Sequence, residues 1–248
     1  MKPEEIRLLI AEDDELFRKT ICDLFSLFKF DVRGVADGQA AWNEIQNTNF
    51  HIVITDIRMP VLSGFDLLLK IKNRNADFPK VIAISGFTDH STAELYAAGI
   101  DGFFIKPFDI LKVRQCVSKS LVAPAERWGL PYDGPNPYMI SKRFPNLAQA
   151  ILRGEIFFGR MGFFLPMAIN HAKCGELVGF DLSFGGPKPA VIFKGIGQIM
   201  FDSDRAKGAP VTGVGIEIMH LNPEAIIEFA ELIKLKKSRA SIPDGSGL

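Results

Sequence analysis

Cysteine is scarce in this chain. Only three occur in 248 residues, and Cys22, Cys116 and Cys174 lie far apart in apolar surroundings. No metal-ligand spacing can be built from them, and buried free thiols in a reducing compartment are the expectation. Long hydrophobic runs are missing too: none reaches the roughly 20 residues that a membrane helix needs, so no membrane insertion is expected. The opening MKPEEIRLLIAEDD runs directly into a strand pattern with acidic residues at its end and does not read as a secretory leader, so the expected place is the cytoplasm. Charge of one sign is also absent. Lysine plus arginine and aspartate plus glutamate both number 29, which leaves no net charge to attract nucleic acid.

What is present suits two ordinary globular domains, with 47% hydrophobic and 23% charged residues. Residues 6–11, 51–55, 81–84 and 102–105 are continuous apolar runs of strand length, as expected of strands buried on both faces. Helical patterns separate them. Leu16, Phe17, Ile21, Leu24, Phe25 and Phe28 recur at spacings of three and four. ADGQAAWNEIQ, GFDLLLKIKN, STAELYAAG and DILKVRQCVSKSLV continue the series. Five strand–helix units predict an α/β doubly wound parallel five-stranded sheet over residues 4–122.

The pattern stops near Val122. Residues 123–149 carry Pro124, Pro131, Pro135, Pro137 and Pro145 among Trp128, Tyr132, Tyr138 and Phe144, and read as an ordered connector packed on one of the two domains. NLAQAILRGEI reads as a short helix. Over residues 150–237 the texture becomes short strands and turns, which predicts an antiparallel β-barrel closed by the helix PEAIIEFAELIKLKK. Asn222 is placed to cap that helix, and residues 238–248 read as a disordered tail.

Four polar groups follow the first domain's strand runs: Glu12-Asp13 after LLIA, Asp56 after HIVIT, Ser85 after VIAI, and Lys106-Pro107 after FFI. In an open parallel sheet this edge is where ligands bind. Carboxylates gathered there repel unless a cation joins them, and oxygen-only ligands suit Mg²⁺. Lysine adds a fixed positive charge, and a serine hydroxyl can hold a phosphoryl oxygen. Singly, each has a plainer explanation as a helix cap, a turn residue or a loop start. Jointly they describe a phosphoryl-accepting site.

These residues, with IRMP and Gly64 after Asp56, resemble the receiver domain of two-component response regulators. The resemblance implies Asp56 as phosphoacceptor, assisted by Ser85 and Lys106. It implies Mg²⁺ held by Glu12, Asp13, Asp56 and the Arg58 carbonyl, a cis Lys106-Pro107 bond, and a switch position at Phe103. It also implies a cognate histidine kinase and a phosphorylation-dependent homodimer. A Phe103 side chain has no hydroxyl, so any switching there rests on packing.

FDLSFGG, followed by GVGIEIMHLNPEAIIEFAELI, resembles the PilZ domain, many members of which bind cyclic di-GMP. Asp181, Ser183 and Gly186 meet its DxSxxG motif, and Arg160 falls near the second arginine of its RxxxR phosphate clamp. Ile156 stands where the first arginine belongs. Losing one charged partner costs about 1.5–3 kcal/mol. The expected output is therefore binding of an unidentified protein, and the alternative is a dual sensor holding cyclic di-GMP through Arg160, Asp181 and Ser183. No HD-plus-GYP, GGDEF-like or EAL-like pattern occurs, no helix-turn-helix is evident, and neither an output enzyme nor a transcription factor is expected.

Overall fold

The structure is a computed structural model that describes residues 2–86, 90–135, 137–168, 173–186, 191–203, 211–236 and 240–243. The chain divides into two compact units. The first comprises residues 1–91 and 98–121, and the second 122–248 together with 92–97.

In the first unit, β1 (Arg7–Ala11), β2 (Asp31–Val35), β3 (Ile52–Thr55), β4 (Lys80–Ser85) and β5 (Gly102–Ile105) form one parallel sheet in the order β2-β1-β3-β4-β5. The order reverses between β1 and β3, and the crevice outside the strands' carboxyl ends at that point is the favoured ligand position of such sheets. The apolar runs are buried as their composition requires: Leu8–Ala11, Ile52–Ile54 and Val81–Ile84 are at most 1% exposed. The helices α1 (Glu15–Leu27), α2 (Gly38–Asn47) and α3 (Gly64–Arg74) open on side-chain caps from Asp14, Asp37 and Ser63, each accepting a first-turn N–H. α4 (Thr92–Ala98) and α5 (Ile110–Ser120), the latter capped by Asp109, complete the series.

The second unit opens with α6 (Pro124–Trp128), β6 (Tyr138–Phe144) and α7 (Leu147–Leu152). β7 (Phe157–Phe158), β8 (Gly162–Leu165), β9 (Leu177–Phe184), β10 (Val191–Ser203), β11 (Gly213–Leu221) and α8 (Pro223–Lys236) follow. Its six strands make a mostly antiparallel curled sheet in the order β6-β9-β10-β11-β8-β7. Three expectations change here. The proline-rich segment is no mere connector: it supplies an edge strand, with β6 running parallel to β9 from Tyr138 opposite Val178 to Phe144 opposite Phe184, and Trp128 is 1% exposed in the core. VIFK and GQIMFDS lie in the single strand β10, whose register shifts at Ile196/Gly197 and Ile199/Phe201 absorb the irregularity. Asn222 turns its side-chain oxygen to the Lys194 N–H at 2.8 Å rather than to the helix.

The core of this unit is aromatic. The Phe158 ring meets those of Phe193 and Phe229 at 5.8 and 5.5 Å, and Trp128 meets Phe229 edge-on at 5.0 Å. Edge-to-face pairs of this kind contribute about 0.5–1.5 kcal/mol each beyond burial. The expected disordered tail is also corrected in part. Ser241 and Ile242 are fully buried, and the Ser241 carbonyl accepts from the Met161 N–H at 2.9 Å. The rest of that tail, the basic helix end at Lys237 and Arg239, and Gly208 lie outside the described residues.

Candidate functional site

Asp56 follows β3, and its backbone is fixed before its side chain is. Its N–H donates to the Ala11 carbonyl at 2.9 Å, and its own carbonyl accepts from Thr55 Oγ1 at 2.8 Å. A Cβ on Gly64 would lie 1.8 Å from that same carbonyl oxygen, so only glycine fits at the start of α3. The side chain is 8% exposed. Ser85 Oγ, at the end of β4, donates to Oδ1 at 3.0 Å, as does the Arg58 backbone N–H at 3.0 Å. Lys106, just past β5, donates to Oδ2 at 2.5 Å and to Glu12 Oε2 at 2.8 Å. Four strands thus deliver Glu12, Asp56, Ser85 and Lys106 to one hydrogen-bonded cluster. The Lys106 ammonium also lies 4.2 Å from the centre of the Phe17 ring, and the Lys106-Pro107 bond is cis.

Burial is the largest influence on Lys106 and works against its charge. The hydrogen bonds to Asp56 and Glu12 outweigh it, so the net pKa is raised and the ammonium persists. Burial pushes Glu12 up, and the Lys106 contact offsets only part of that. The Asp56 carboxylate is therefore oriented by neutral donors on one oxygen and a cation on the other. Such an environment stabilises negative charge at this position.

Asp13 and Arg58 line a neighbouring cleft of about 430 Å³, walled by Phe65 and His90, whose rings stack at 3.7 Å. The donor types at this edge fit a hard divalent cation: three carboxylates and a main-chain carbonyl, with no nitrogen or sulfur. They are not preassembled around one point. Among the described residues no group of three or more His, Cys, Asp or Glu side chains is placed to hold an ion. Lys106 engages an oxygen of both Glu12 and Asp56, while Asp13 is exposed. Phe103 sits half-buried on β5 opposite Ala83.

The second candidate set lies on separate elements. Asp181 and Ser183 are on β9, half-buried between the inward-facing Phe180, Leu182 and Phe184. Arg160 precedes β8, and β10 and β11 separate that strand from β9. Its guanidinium is buried, with Nη2 donating to Ser241 Oγ at 2.9 Å. Ile156, at the other clamp position, is fully buried. Gly186 is exposed at the strand's end.

Two clusters were not read from the sequence. Lys72, 2% exposed, donates to Asp101 Oδ2 at 2.6 Å, and that oxygen also accepts from the Val81 N–H at 2.9 Å. Lys80 adds its ammonium 3.7 Å from Oδ1. Nothing in KIKN or GIDG marks a buried ion pair. The Arg160–Ser241 bond joins residues 81 positions apart, which no local pattern signals.

Residues 8–118 match the response regulator receiver domain family. The 3',5'-cyclic-nucleotide phosphodiesterase regA of Dictyostelium discoideum is 31% identical over 110 residues, 42% of this chain and 14% of that protein. Response regulator RR06 of Streptococcus pneumoniae is 30% identical over 107 residues, 43% of this chain and 48% of that protein. The chain thus spans less than half the length of either relative. The solved receiver domain of the Francisella response regulator 1452 is 27% identical and covers 46% of this chain and 95% of that one, with a TM-score of 0.44. No described helix is long and apolar enough to cross a membrane. The family match takes in Glu12, Asp56, Ser85 and Lys106 and supports a response regulator receiver domain at residues 8–118.

Proposed function

We propose that this chain is a phosphorylation-controlled adaptor of a two-component phosphorelay, receiving a phosphoryl group on Asp56 and acting on another protein through its second unit. The observation that carries the reading is the Asp56 carboxylate, held by Ser85 on one oxygen and Lys106 on the other at the switch point of the sheet.

In the transfer, an Asp56 oxygen attacks phosphorus in line with the donor's leaving group. The bond from phosphorus to that group breaks, and its electron pair departs with it. Lys106 neutralises charge that builds on the phosphoryl oxygens, and the Ser85 hydroxyl donates to one of them. A resident Mg²⁺, held by Glu12, Asp13, Asp56 and the Arg58 carbonyl, would supply further charge neutralisation. Hydrolysis of the acyl phosphate resets the site. A histidine kinase is the proposed donor, Phe103 the proposed switch, and phosphorylation-dependent self-association a proposed consequence.

The second unit is read as PilZ-like in its curled sheet and closing helix, with a protein rather than cyclic di-GMP as its target. Support comes from Arg160, buried against Ser241 and strands away from Asp181.

The test is incubation with a small acyl phosphate and Mg²⁺, followed by intact mass. One phosphoryl group is expected on the native chain and none on Asp56→Asn. Failure of the native chain to take up phosphoryl from either a small donor or a panel of kinases would overturn the reading.

A further inference from the structure

At the amino ends of β3 and β4, on the opposite edge of the sheet from Asp56, the first unit holds a cleft of about 330 Å³. Clefts of this size, lined by aromatic rings and a few fixed polar groups, are the usual seats of small ligands. Ile45, Phe50 and Ile71 are buried and give it an apolar base. The Trp42 and Phe78 rings line it from α2 and from the loop before β4. Phe78 is 43% exposed, which leaves much of its ring for another molecule to cover.

Three side chains at this cleft have only donors left to offer. His51 Nδ1 accepts the Arg7 N–H at 3.0 Å, so the neutral imidazole carries its proton on Nε2. Burial, aided by Arg7, lowers its pKa and favours that neutral form. Asn75 Oδ1 accepts from the Asp77 and Phe78 N–H groups at 2.9 and 3.1 Å, which leaves its amide NH₂ to donate. Arg74 is exposed, and no ion pair engages it among the described residues. Lys70 and Lys80 add positive charge over the Trp42 and Phe78 rings, at 5.5 and 5.4 Å. No carboxylate lines the cleft among the described residues. The carbonyl ends of α2 and α3 lie on this side and oppose an anion. The Thr48 and Asn75 N–H groups take the Glu44 and Ile71 carbonyls, however, and Lys72 and Arg74 stand in the last turn of α3.

We propose that this cleft binds a small planar aromatic carboxylate, its ring against Trp42 and Phe78 and its carboxylate on the donors of His51, Arg74 and Asn75. A purely apolar ligand would leave those donors unpaired, and an anion without a ring would leave the aromatic lining in water. A carboxylate, which only accepts, matches a set of groups that only donate. The inference does not rest on the phosphoacceptor reading, because no residue of the Asp56 cluster lines this cleft.

Titration of the full chain with benzoate, followed by the indole N–H signals in NMR, tests this. Trp42 and Trp128 are the only tryptophans, and only Trp42 lines the cleft. The Trp42 signal is expected to shift with a Kd of about millimolar or tighter, while that of Trp128 stays in place. Arg74→Gln should weaken benzoate about tenfold, and Phe78→Leu about threefold. Both side chains are exposed, so neither change disturbs the core. Benzamide, which lacks the charge, and cyclohexanecarboxylate, which lacks the ring, should each bind several-fold more weakly. Asp56→Asn should leave benzoate affinity within about twofold. A Trp42 signal unmoved at tens of millimolar benzoate overturns the site. So does an equal shift of both indoles, unchanged affinity in both cleft variants, or equal affinity for benzamide or cyclohexanecarboxylate.

Discussion

The two units solve the problem of gathering polar groups in opposite ways. In the first, every strand is parallel, so all carboxyl ends fall on one edge and Glu12, Asp56, Ser85 and Lys106 meet although they span 94 positions. In the second, strand direction mostly alternates, and successive strand ends fall on opposite edges. Asp181 and Ser183 share a face of β9, while Arg160 precedes β8, a strand that β10 and β11 separate from β9 in the sheet order. The parallel unit concentrates charge at an edge, whereas the curled unit concentrates aromatic rings in its interior. A short motif predicts a site well in the first topology because position along each strand is enough. In the second, register and sheet order must also be known.

Changes confined to one unit test how separable these designs are, and each unit holds one tryptophan, Trp42 or Trp128, as a reporter. The largest effect is expected from Phe229→Ala, which leaves a cavity beneath Trp128 and should destabilise the second unit by about 3–5 kcal/mol. In denaturant titrations the Trp128 signal should move far more than that of Trp42; equal movement of both would make the chain one cooperative body. Asp101→Asn keeps an acceptor for the Val81 N–H but leaves Lys72 buried beside a neutral group. A loss of about 3–5 kcal/mol is expected, now in the Trp42 signal. Lys106→Met should slow phosphoryl uptake from a small donor about a hundredfold, measured by intact mass, while Arg160→Ala leaves uptake within twofold.

A gentler contrast comes from pH. His51 Nδ1 accepts the Arg7 N–H at 3.0 Å, and burial, aided by Arg7, lowers the imidazole pKa. The unfolded chain then takes up a proton first, so this contribution is complete above about pH 6.5 and erodes as pH falls towards the folded value. The Trp42 midpoint should drift downward over that window and drift less in His51→Gln. Smallest of all, calorimetric titration of cyclic di-GMP should give no heat at high micromolar concentration. Micromolar binding would show that the dispersed residues of the second unit can still be recruited.

The acceptor cluster was legible because composition alone identified its strands. VIAI and HIVIT can only be buried, and the polar residue after each run had to emerge at the edge. Asp14 follows the same run and caps α1, its side chain taking the Phe17 N–H at 2.8 Å. β6 was hidden by its flanking prolines, although YMISKRF carries a two-residue period at Ile140, Lys142 and Phe144. The burial of Arg160 depends on Ser241, and Lys72 on Asp101. Such pairings arise from tertiary contact, which no window of sequence contains.

The division of the chain also bears on its biogenesis. Residues 92–97 leave the ribosome before residue 122 does, yet they group with residues that are made later. The first unit can close its sheet once β5 has emerged, but the Tyr96 ring meets Phe201, and its carbonyl the Ser241 N–H, only after those residues are made. Domains generally fold as units in order of synthesis, and here residues 92–97 of the later unit are interposed in the sequence of the earlier one. A fragment cut at the apparent boundary near Val122 would therefore lack the Tyr96 ring that covers Phe201, and a split protein would need residues 92–97 supplied on the other piece.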